Sequence, residues 1–133
     1  MSQKPKVMIV DDEKDNLDLL YRTLRREFQL FQSESPVEAL TMLETDGEMA
    51  VIISDQSMPE MNGIEFLKQT KAIFPDSKRI LLTGYSEDSL KETGSNLEDA
   101  EVFSCVTKPW NPDELKNTIK DAIEKYHISK SSS

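Results

Sequence analysis

The chain has 133 residues, of which 37% are hydrophobic and 31% are charged. This length fits one ordinary domain, and the composition is typical of a globular rather than a disordered chain. The 25 acidic and 16 basic residues give a net charge of −9, which argues against nucleic-acid binding by this domain alone. Arg22, Arg25 and Arg26 form the nearest basic group, and their spacing is typical of a solvated helix face. An acidic surface of this kind suits protein partners or a divalent cation.

The cellular location is predicted from what the sequence lacks. No apolar run approaches the roughly 18 residues that a membrane helix needs, and residues 1–6 show no signal-peptide pattern. Cys105 is the single cysteine, so an internal disulfide is excluded and a reducing compartment fits. We therefore expect a cytoplasmic protein with no membrane contact.

Five short apolar segments predict strands that alternate with helices. The predicted strands are residues 6–10, 30–33, 49–54, 79–83 and 102–106. Helical spacing of apolar residues predicts helices over 15–28, 36–46, 63–74 and 112–128, and caps are expected at Ser35, Asn62 and Asn111. A weaker fourth helix is expected by alternation within residues 86–101, interrupted at Gly94. The domain is predicted to span residues 1–128, followed by a disordered polar tail at 129–133.

Alternating short strands and helices predict an α/β fold with a parallel sheet covered on both faces. In such folds the functional site lies beyond the carboxyl ends of the strands. The residues at those ends are Asp11 and Asp12 after strand one, Asp55 after strand three, Thr83 after strand four and Lys108 after strand five. Parallel strands bring all of them to one edge of the sheet.

The residue types at this edge favour phosphoryl transfer. Three carboxylates in one place repel one another unless a cation lies among them, and oxygen ligands favour Mg²⁺. A lysine and a threonine hydroxyl each suit a phosphate oxygen, and an ionised aspartate can attack phosphorus. Each residue alone has a structural explanation, such as acids at a helix N-terminus. The combination predicts that Asp55 accepts a phosphoryl group, with Lys108 and Mg²⁺ stabilising the charge on the transferred oxygens.

A family resemblance strengthens this prediction. The residues Asp11-Asp12, Asp55-x-x-Met58-Pro59-x-Met61-x-Gly63, Thr83-Gly84 and Lys108-Pro109 resemble the receiver domain of bacterial two-component response regulators. The match in order and approximate spacing extends from Lys6 to Tyr126. The resemblance implies a doubly wound five-stranded parallel sheet with five helices and the flavodoxin-like strand order 2-1-3-4-5.

The resemblance also implies roles for individual residues. Asp55 would be phosphorylated by a phosphohistidine on a partner histidine kinase or phosphotransfer protein. Asp12, Asp55 and the backbone carbonyl of Ser57 would bind Mg²⁺ directly, and Asp11 would act mainly through water. Thr83 and Lys108 would contact the phosphoryl group. The face made by the fourth helix, the fifth strand and the fifth helix would carry the signal to an output domain or protein, and no external substrate would be turned over.

One departure concerns the switch residue. The family usually has Tyr or Phe three residues before the lysine, where this chain has Cys105. Phe103 lies two residues earlier and is expected on the same strand face, although such a shift moves a side chain about 6–7 Å. The predicted switch set is therefore Thr83, Cys105 and Phe103.

Two alternative functions remain compatible with the sequence. One is a receiver-like scaffold without phosphorylation-driven switching, which the substitution at Cys105 leaves open. The other is an aspartate-based phosphohydrolase, which usually carries a second acid where this chain has Ser57. The sequence is compatible with a free-standing receiver and with a receiver that belongs to a longer regulator, and the ending Lys108-Pro109-Trp110, which resembles receivers that precede enzymatic modules, favours the second.

Overall fold

A computed structural model describes residues 4–84, 97 and 100–131, and within them five strands alternate with four helices. The strands are β1 (Lys6–Val10), β2 (Gln29–Ser33), β3 (Val51–Asp55), β4 (Lys78–Thr83) and β5 (Val102–Thr107). The helices are α1 (Lys14–Leu24), α2 (Pro36–Asp46), α3 (Gly63–Ile73) and α4 (Pro112–Ser131). The α4 helix is the last of the five predicted helices. The weak helix predicted within residues 86–101 lies outside the described residues, apart from its last few positions.

The strands form one sheet in the order β2-β1-β3-β4-β5, and every neighbouring pair is parallel. This arrangement confirms the predicted α/β class and the predicted 2-1-3-4-5 order. The chain runs from β1 outward to β2 and then returns past β1 to β3, so the strand order reverses between β1 and β3. Folds of this kind bind ligands beyond the carboxyl ends of the two strands at that point.

Helices cover both faces of the sheet, and alternate strand residues divide the core into two clusters. Val7 and Ile9 of β1 pack with the buried leucines of α1 and the apolar side of α4. Met8 and Val10 face the opposite way and pack with α2 and α3. Each fully buried aliphatic side chain contributes about 1.5–3 kcal/mol to folding, so this two-sided burial holds the strand ends in place.

The predicted helix caps are confirmed. The Ser35 hydroxyl accepts a hydrogen bond from Glu38 N at 3.3 Å, ahead of a proline at the first helical position. Asn62 Oδ1 accepts from Glu65 N at 2.9 Å. Asn111 Oδ1 accepts from the amides of the two acids that begin α4, at 2.9 and 3.1 Å. Each cap satisfies amides that have no partner inside their own helix.

Two helix ends differ from their predicted positions by three or four residues. The α1 helix ends at Leu24 rather than at Phe28, although Phe28 is still buried in the core beneath α1 and α4. The α4 helix continues through Ser131, so the tail predicted from residue 129 is helical for three more residues. Lys130 explains the extension, because its ammonium contacts Glu48 at 3.0 Å and Asp76 at 3.4 Å. In the part of the chain that the structure describes, no helix has the length and apolarity needed to cross a membrane.

Candidate functional site

The parallel register brings the predicted site residues to one edge of the sheet. Val10 lies opposite Ser54, so Asp11 follows its strand at the level where β3 ends. Asp55 lies opposite Leu82, one residue before Thr83. The amide of Lys108 donates a hydrogen bond to the carbonyl of Thr83 at 2.8 Å, which fixes the end of β5 against the end of β4.

Three of the predicted acids form a compact cluster. Asp11, Asp12 and Asp55 each place one carboxylate oxygen within 4.8 Å of the other two. Asp11 is 1% exposed and Asp55 is 5% exposed, whereas Asp12 is exposed. The Lys108 ammonium forms an ion pair with Oδ1 of Asp55. The cluster therefore carries more negative charge than its one contacting lysine neutralises.

Burial imposes an electrostatic cost on Asp11 in this cluster. Its Oδ1 accepts from the amide of Glu13 at 2.9 Å, but its buried Oδ2 has no hydrogen-bond partner among the described residues. Burial raises the pKa of Asp11 to about 6, the Glu13 amide partly offsets this rise, and repulsion from Asp55 adds to it. A buried carboxylate oxygen without a partner, beside two other acids, fits a cation-binding role.

Asp55 is held in place through its backbone. It is the last residue of β3, and its carbonyl accepts a hydrogen bond from the Ser54 hydroxyl at 2.9 Å. A Cβ at Gly63 would lie 2.4 Å from the Asp55 carbonyl oxygen and 2.7 Å from a methyl group of Leu81. Only glycine permits this approach of α3 to the end of β3, which explains the glycine at the end of the quoted motif.

The other predicted residues are placed as follows. Thr83 ends β4 at the same edge and is 1% exposed. Ser57 is exposed in the loop of residues 56–62, two residues after Asp55. The edge therefore collects Asp11, Asp12, Asp55, Thr83 and Lys108, as the sequence predicted.

The predicted switch geometry requires a correction. Arg79 of β4 pairs with Val102 of β5, and the next residue, Ile80, pairs with Ser104. Phe103 is therefore an extra residue in β5, which forms a β-bulge there. Such a bulge interrupts strand alternation, so the simple alternation from which the position of Phe103 was predicted does not hold here. Cys105 is half-buried against the core beneath α2 and α3, while Phe103 is 36% exposed.

An apolar groove beside the acids was not predicted. It has a volume of about 490 Å³ and lies between α1 and the segment after β5. The residues that line it include the site residues Asp11 and Lys108 and the apolar residues Leu19, Pro109 and Trp110. Leu19 is 48% exposed and presents its aliphatic side chain to this groove. The exposed leucine within the periodic α1 pattern was the sequence signal that could have indicated it.

Sequence reasoning also missed the contacts that hold the loop of residues 56–62. Gln56 bonds to β4 and to the start of α3. The Ser35 hydroxyl donates to Glu60 Oε1 at 2.9 Å, which ties the same loop to the start of α2. The contacts with β4 and with Ser35 join segments that are distant in sequence, so no local sequence pattern predicts them.

A doubly wound parallel sheet with polar residues gathered at its carboxyl edge defines the class of α/β domains that place their functional site beyond the strand ends. The family model for the response regulator receiver domain matches residues 7–120 of this chain. The chain therefore belongs to the response regulator receiver family, whose members are phosphorylation-dependent signalling switches in two-component systems.

Individual relatives agree with this assignment. The hydrogenase transcriptional regulatory protein HoxA of Bradyrhizobium diazoefficiens is 35% identical over 131 residues, which cover 98% of this chain and 26% of the relative. The chain thus spans about a quarter of the length of that protein. A chemotaxis protein CheY homolog of Campylobacter jejuni is 31% identical over 122 residues, covering 89% of this chain and 92% of the relative.

A solved structure shows the same architecture. The signal receiver domain of an HD domain-containing protein from Pseudomonas fluorescens superposes with a TM-score of 0.87 at 26% identity. The superposition covers 98% of this chain and 95% of that structure.

Proposed function

We propose that Asp55 is the phosphoacceptor of this receiver domain. A carboxylate oxygen of Asp55 attacks the phosphorus of a phosphohistidine on a partner kinase or phosphotransfer protein. The new oxygen–phosphorus bond forms as the phosphorus–nitrogen bond breaks, and the electron pair of the broken bond stays on the imidazole nitrogen. The product is an acyl phosphate on Asp55. Attack by water on the phosphorus then releases inorganic phosphate, so the domain catalyses only its own modification and its reversal.

Two further residues contact the transferred group in this proposal. The Lys108 ammonium already contacts Asp55 Oδ1, so it lies where charge develops on the phosphoryl oxygens. The Thr83 hydroxyl, at the end of the neighbouring strand, donates a hydrogen bond to the phosphoryl group. Asp55, Lys108 and Thr83 thus form the catalytic set.

The acid cluster fits Mg²⁺. Three carboxylates within 4.8 Å supply only oxygen ligands, and the partnerless Oδ2 of Asp11 is buried among them. Asp12, Asp55 and the Ser57 carbonyl would hold the ion directly, and Asp11 would hold it mainly through water. When bound, the ion neutralises charge on the transferred oxygens.

One observation carries the proposal. A buried aspartate at the end of the central strand β3 lies within reach of two other acids and contacts a lysine from another strand end. This combination supplies the nucleophile, the cation ligands and the charge partner of phosphoryl transfer at a single point. Structural ion pairs do not require two further carboxylates there.

The signal would leave the site through Thr83, Cys105 and Phe103. In this proposal β5 and α4 belong to the output surface, which would contact an output domain or protein, and the fourth helix expected there lies outside the described residues. The domain works in the cytoplasm, without nucleic acid or membrane contacts of its own. Thr83→Ala should still accept phosphate but should lose the response of the Cys105 and Phe103 amide resonances to phosphorylation. An unchanged response in Thr83→Ala would remove Thr83 from the switch.

Incubation with Mg²⁺ and acetyl phosphate, followed by intact mass spectrometry, tests the proposed phosphorylation. We expect a single phosphate adduct on the wild-type chain and none on Asp55→Asn or in excess chelator. Asp18→Asn is the matched control, because Asp18 is an exposed acid of α1 that lies outside the cluster. An adduct on Asp55→Asn would contradict the assignment of the acceptor. A wild-type chain that no phosphodonor or kinase modifies would favour a scaffold instead.

A further inference from the structure

Gln56 connects the phosphoacceptor strand to two other elements. Its amide donates to the carbonyl of Leu82 in β4 at 3.0 Å, and its carbonyl accepts from the amide of Gly63 at 3.0 Å. Its side-chain Oε1 accepts from the amide of Ile64 at 3.0 Å. The residue directly after Asp55 is therefore bonded both to the next strand and to the first turn of α3.

The side-chain bond closes the loop of residues 56–62 across the start of α3. The first amides of a helix have no partner within that helix. Here Gln56 satisfies those of Gly63 and Ile64, and Asn62 satisfies that of Glu65. The Gln56 side chain is half-buried, so its loss leaves the Ile64 amide in a place that water reaches poorly.

Asp55 itself does not depend on the Gln56 side chain. Its position is set by pairing with β4 and by the hydrogen bond that its carbonyl accepts from the Ser54 hydroxyl. Its carboxylate contacts Lys108, which comes from another strand. The side-chain bond from Gln56 to Ile64 instead joins the two ends of the loop that contains Ser57.

We propose that Gln56 is a positioning residue that sets the affinity of the acid site for Mg²⁺. By holding the start of α3 against the end of β3, its Oε1 fixes the backbone at Ser57, the proposed carbonyl ligand. This inference rests on the proposed function. Removal of the acceptor should weaken Mg²⁺ binding while the nucleophile stays in place. The rate of phosphorylation at saturating Mg²⁺ should then change little.

Gln56→Met tests the inference, because methionine has a similar length and offers no comparable acceptor. The Mg²⁺ dissociation constant is measured by following amide resonances without a phosphodonor. We expect it to rise about tenfold, as for other residues that orient metal ligands. The acetyl phosphate reaction should need correspondingly more Mg²⁺ for half-maximal rate, with a limiting rate within about twofold of wild type. The Ile64 amide should exchange faster with solvent.

Two further variants isolate the role of the acceptor oxygen. Gln56→Glu keeps an acceptor at this place, so the Ile64 amide should stay protected and the Mg²⁺ dissociation constant should not rise. Gln32→Met makes the same chemical change at an exposed position of β2 and should behave as wild type. A rise in Gln56→Glu would overturn the inference even if Gln56→Met failed to fold.

The outcomes also separate this inference from the proposed function. A wild-type chain that is phosphorylated, together with an unchanged Mg²⁺ affinity in Gln56→Met, would overturn the role of Gln56 alone. A reduced limiting rate at unchanged Mg²⁺ affinity would do the same, because it would place Gln56 on the nucleophile. A wild-type chain that binds no Mg²⁺ would overturn both.

Discussion

The buried charged side chains at the two edges of the sheet have different surroundings. At the carboxyl edge, Asp11 and Asp55 are buried near each other, and one oxygen of Asp11 has no partner among the described residues. At the amino edge, Nε and Nη2 of the buried Arg79 have hydrogen-bond partners, whereas its Nη1 has none among the described residues. Arg79 donates to the carbonyl of Ala100 at 2.8 Å and contacts Glu101 at 3.4 Å. We therefore expect the loss of the Arg79 charge to destabilise the fold, because its partners stay buried, and the loss of the Asp11 charge to stabilise it.

The strongest test of this contrast is the removal of the buried guanidinium. Arg79 is 2% exposed, and burial lowers its pKa while the neighbouring Glu101 raises it. Arg79→Met should lower the free energy of unfolding by about 2 kcal/mol, because the carbonyl of Ala100 loses its charged donor. Urea unfolding measures this loss.

Glu101→Gln is the control for Arg79→Met. The Glu101 side chain is 57% exposed, so loss of its charge should cost less than about 1 kcal/mol. Equal losses in the two variants would mean that the ion pair, rather than the buried carbonyl contacts, provides the stability.

At the carboxyl edge, removal of a buried charge should raise the free energy of unfolding rather than lower it. Asp11→Asn keeps the Oδ1 acceptor for the amide of Glu13 but removes a buried charge beside Asp55. In chelator at neutral pH, the variant should be more stable than wild type by about 1 kcal/mol. Mg²⁺ should then stabilise the wild type more than the variant.

Urea unfolding with and without Mg²⁺ measures both effects of Asp11→Asn. A variant that is less stable than wild type in chelator would show that the Asp11 charge supports the fold. The contrast between the two edges would then be lost.

The smallest expected effect concerns Tyr126 at the amino edge. Its hydroxyl donates to Glu48 Oε1 at 2.6 Å. Burial, followed by this hydrogen bond, raises the pKa of Tyr126 from its ordinary value of 10 to about 12. The raised pKa means that this contribution to stability is complete below pH 10 and is lost as the pH rises through about 12.

Ultraviolet absorbance of tyrosinate measures this titration. The difference between wild type and Tyr126→Phe isolates Tyr126 from the other tyrosines. Glu48→Gln should move the pKa of Tyr126 back toward 10, since a neutral amide neither repels the tyrosinate nor accepts as strongly. A titration that Glu48→Gln leaves unchanged would show that the contact is not formed in solution.

The sequence predicted the carboxyl edge better than the amino edge, for a physical reason. Asp11, Asp55 and Lys108 each directly follow or end a short apolar strand, and parallel pairing then brings them together. The helix caps at Ser35 and Asn62 were likewise local patterns. Features that depend only on a single strand, its end or the start of a single helix could therefore be predicted.

Features that depend on contacts between distant segments could not be predicted. Arg79 occurs in an apolar strand pattern, and only the fold shows its guanidinium beneath the turn at Ala100. The bulge at Phe103 arises from pairing with β4 rather than from a glycine or proline. The extension of α4 through Ser131 depends on Lys130 reaching Glu48, far away in sequence.

The central claim is that Asp55 carries the phosphoryl group, and locating the modification tests it most directly. After reaction with acetyl phosphate and Mg²⁺, borohydride reduces an acyl phosphate of aspartate to homoserine, which peptide mass spectrometry can locate. The account predicts homoserine at position 55 alone. Homoserine at Asp11 or Asp12, or a phosphate adduct that resists reduction, would contradict it.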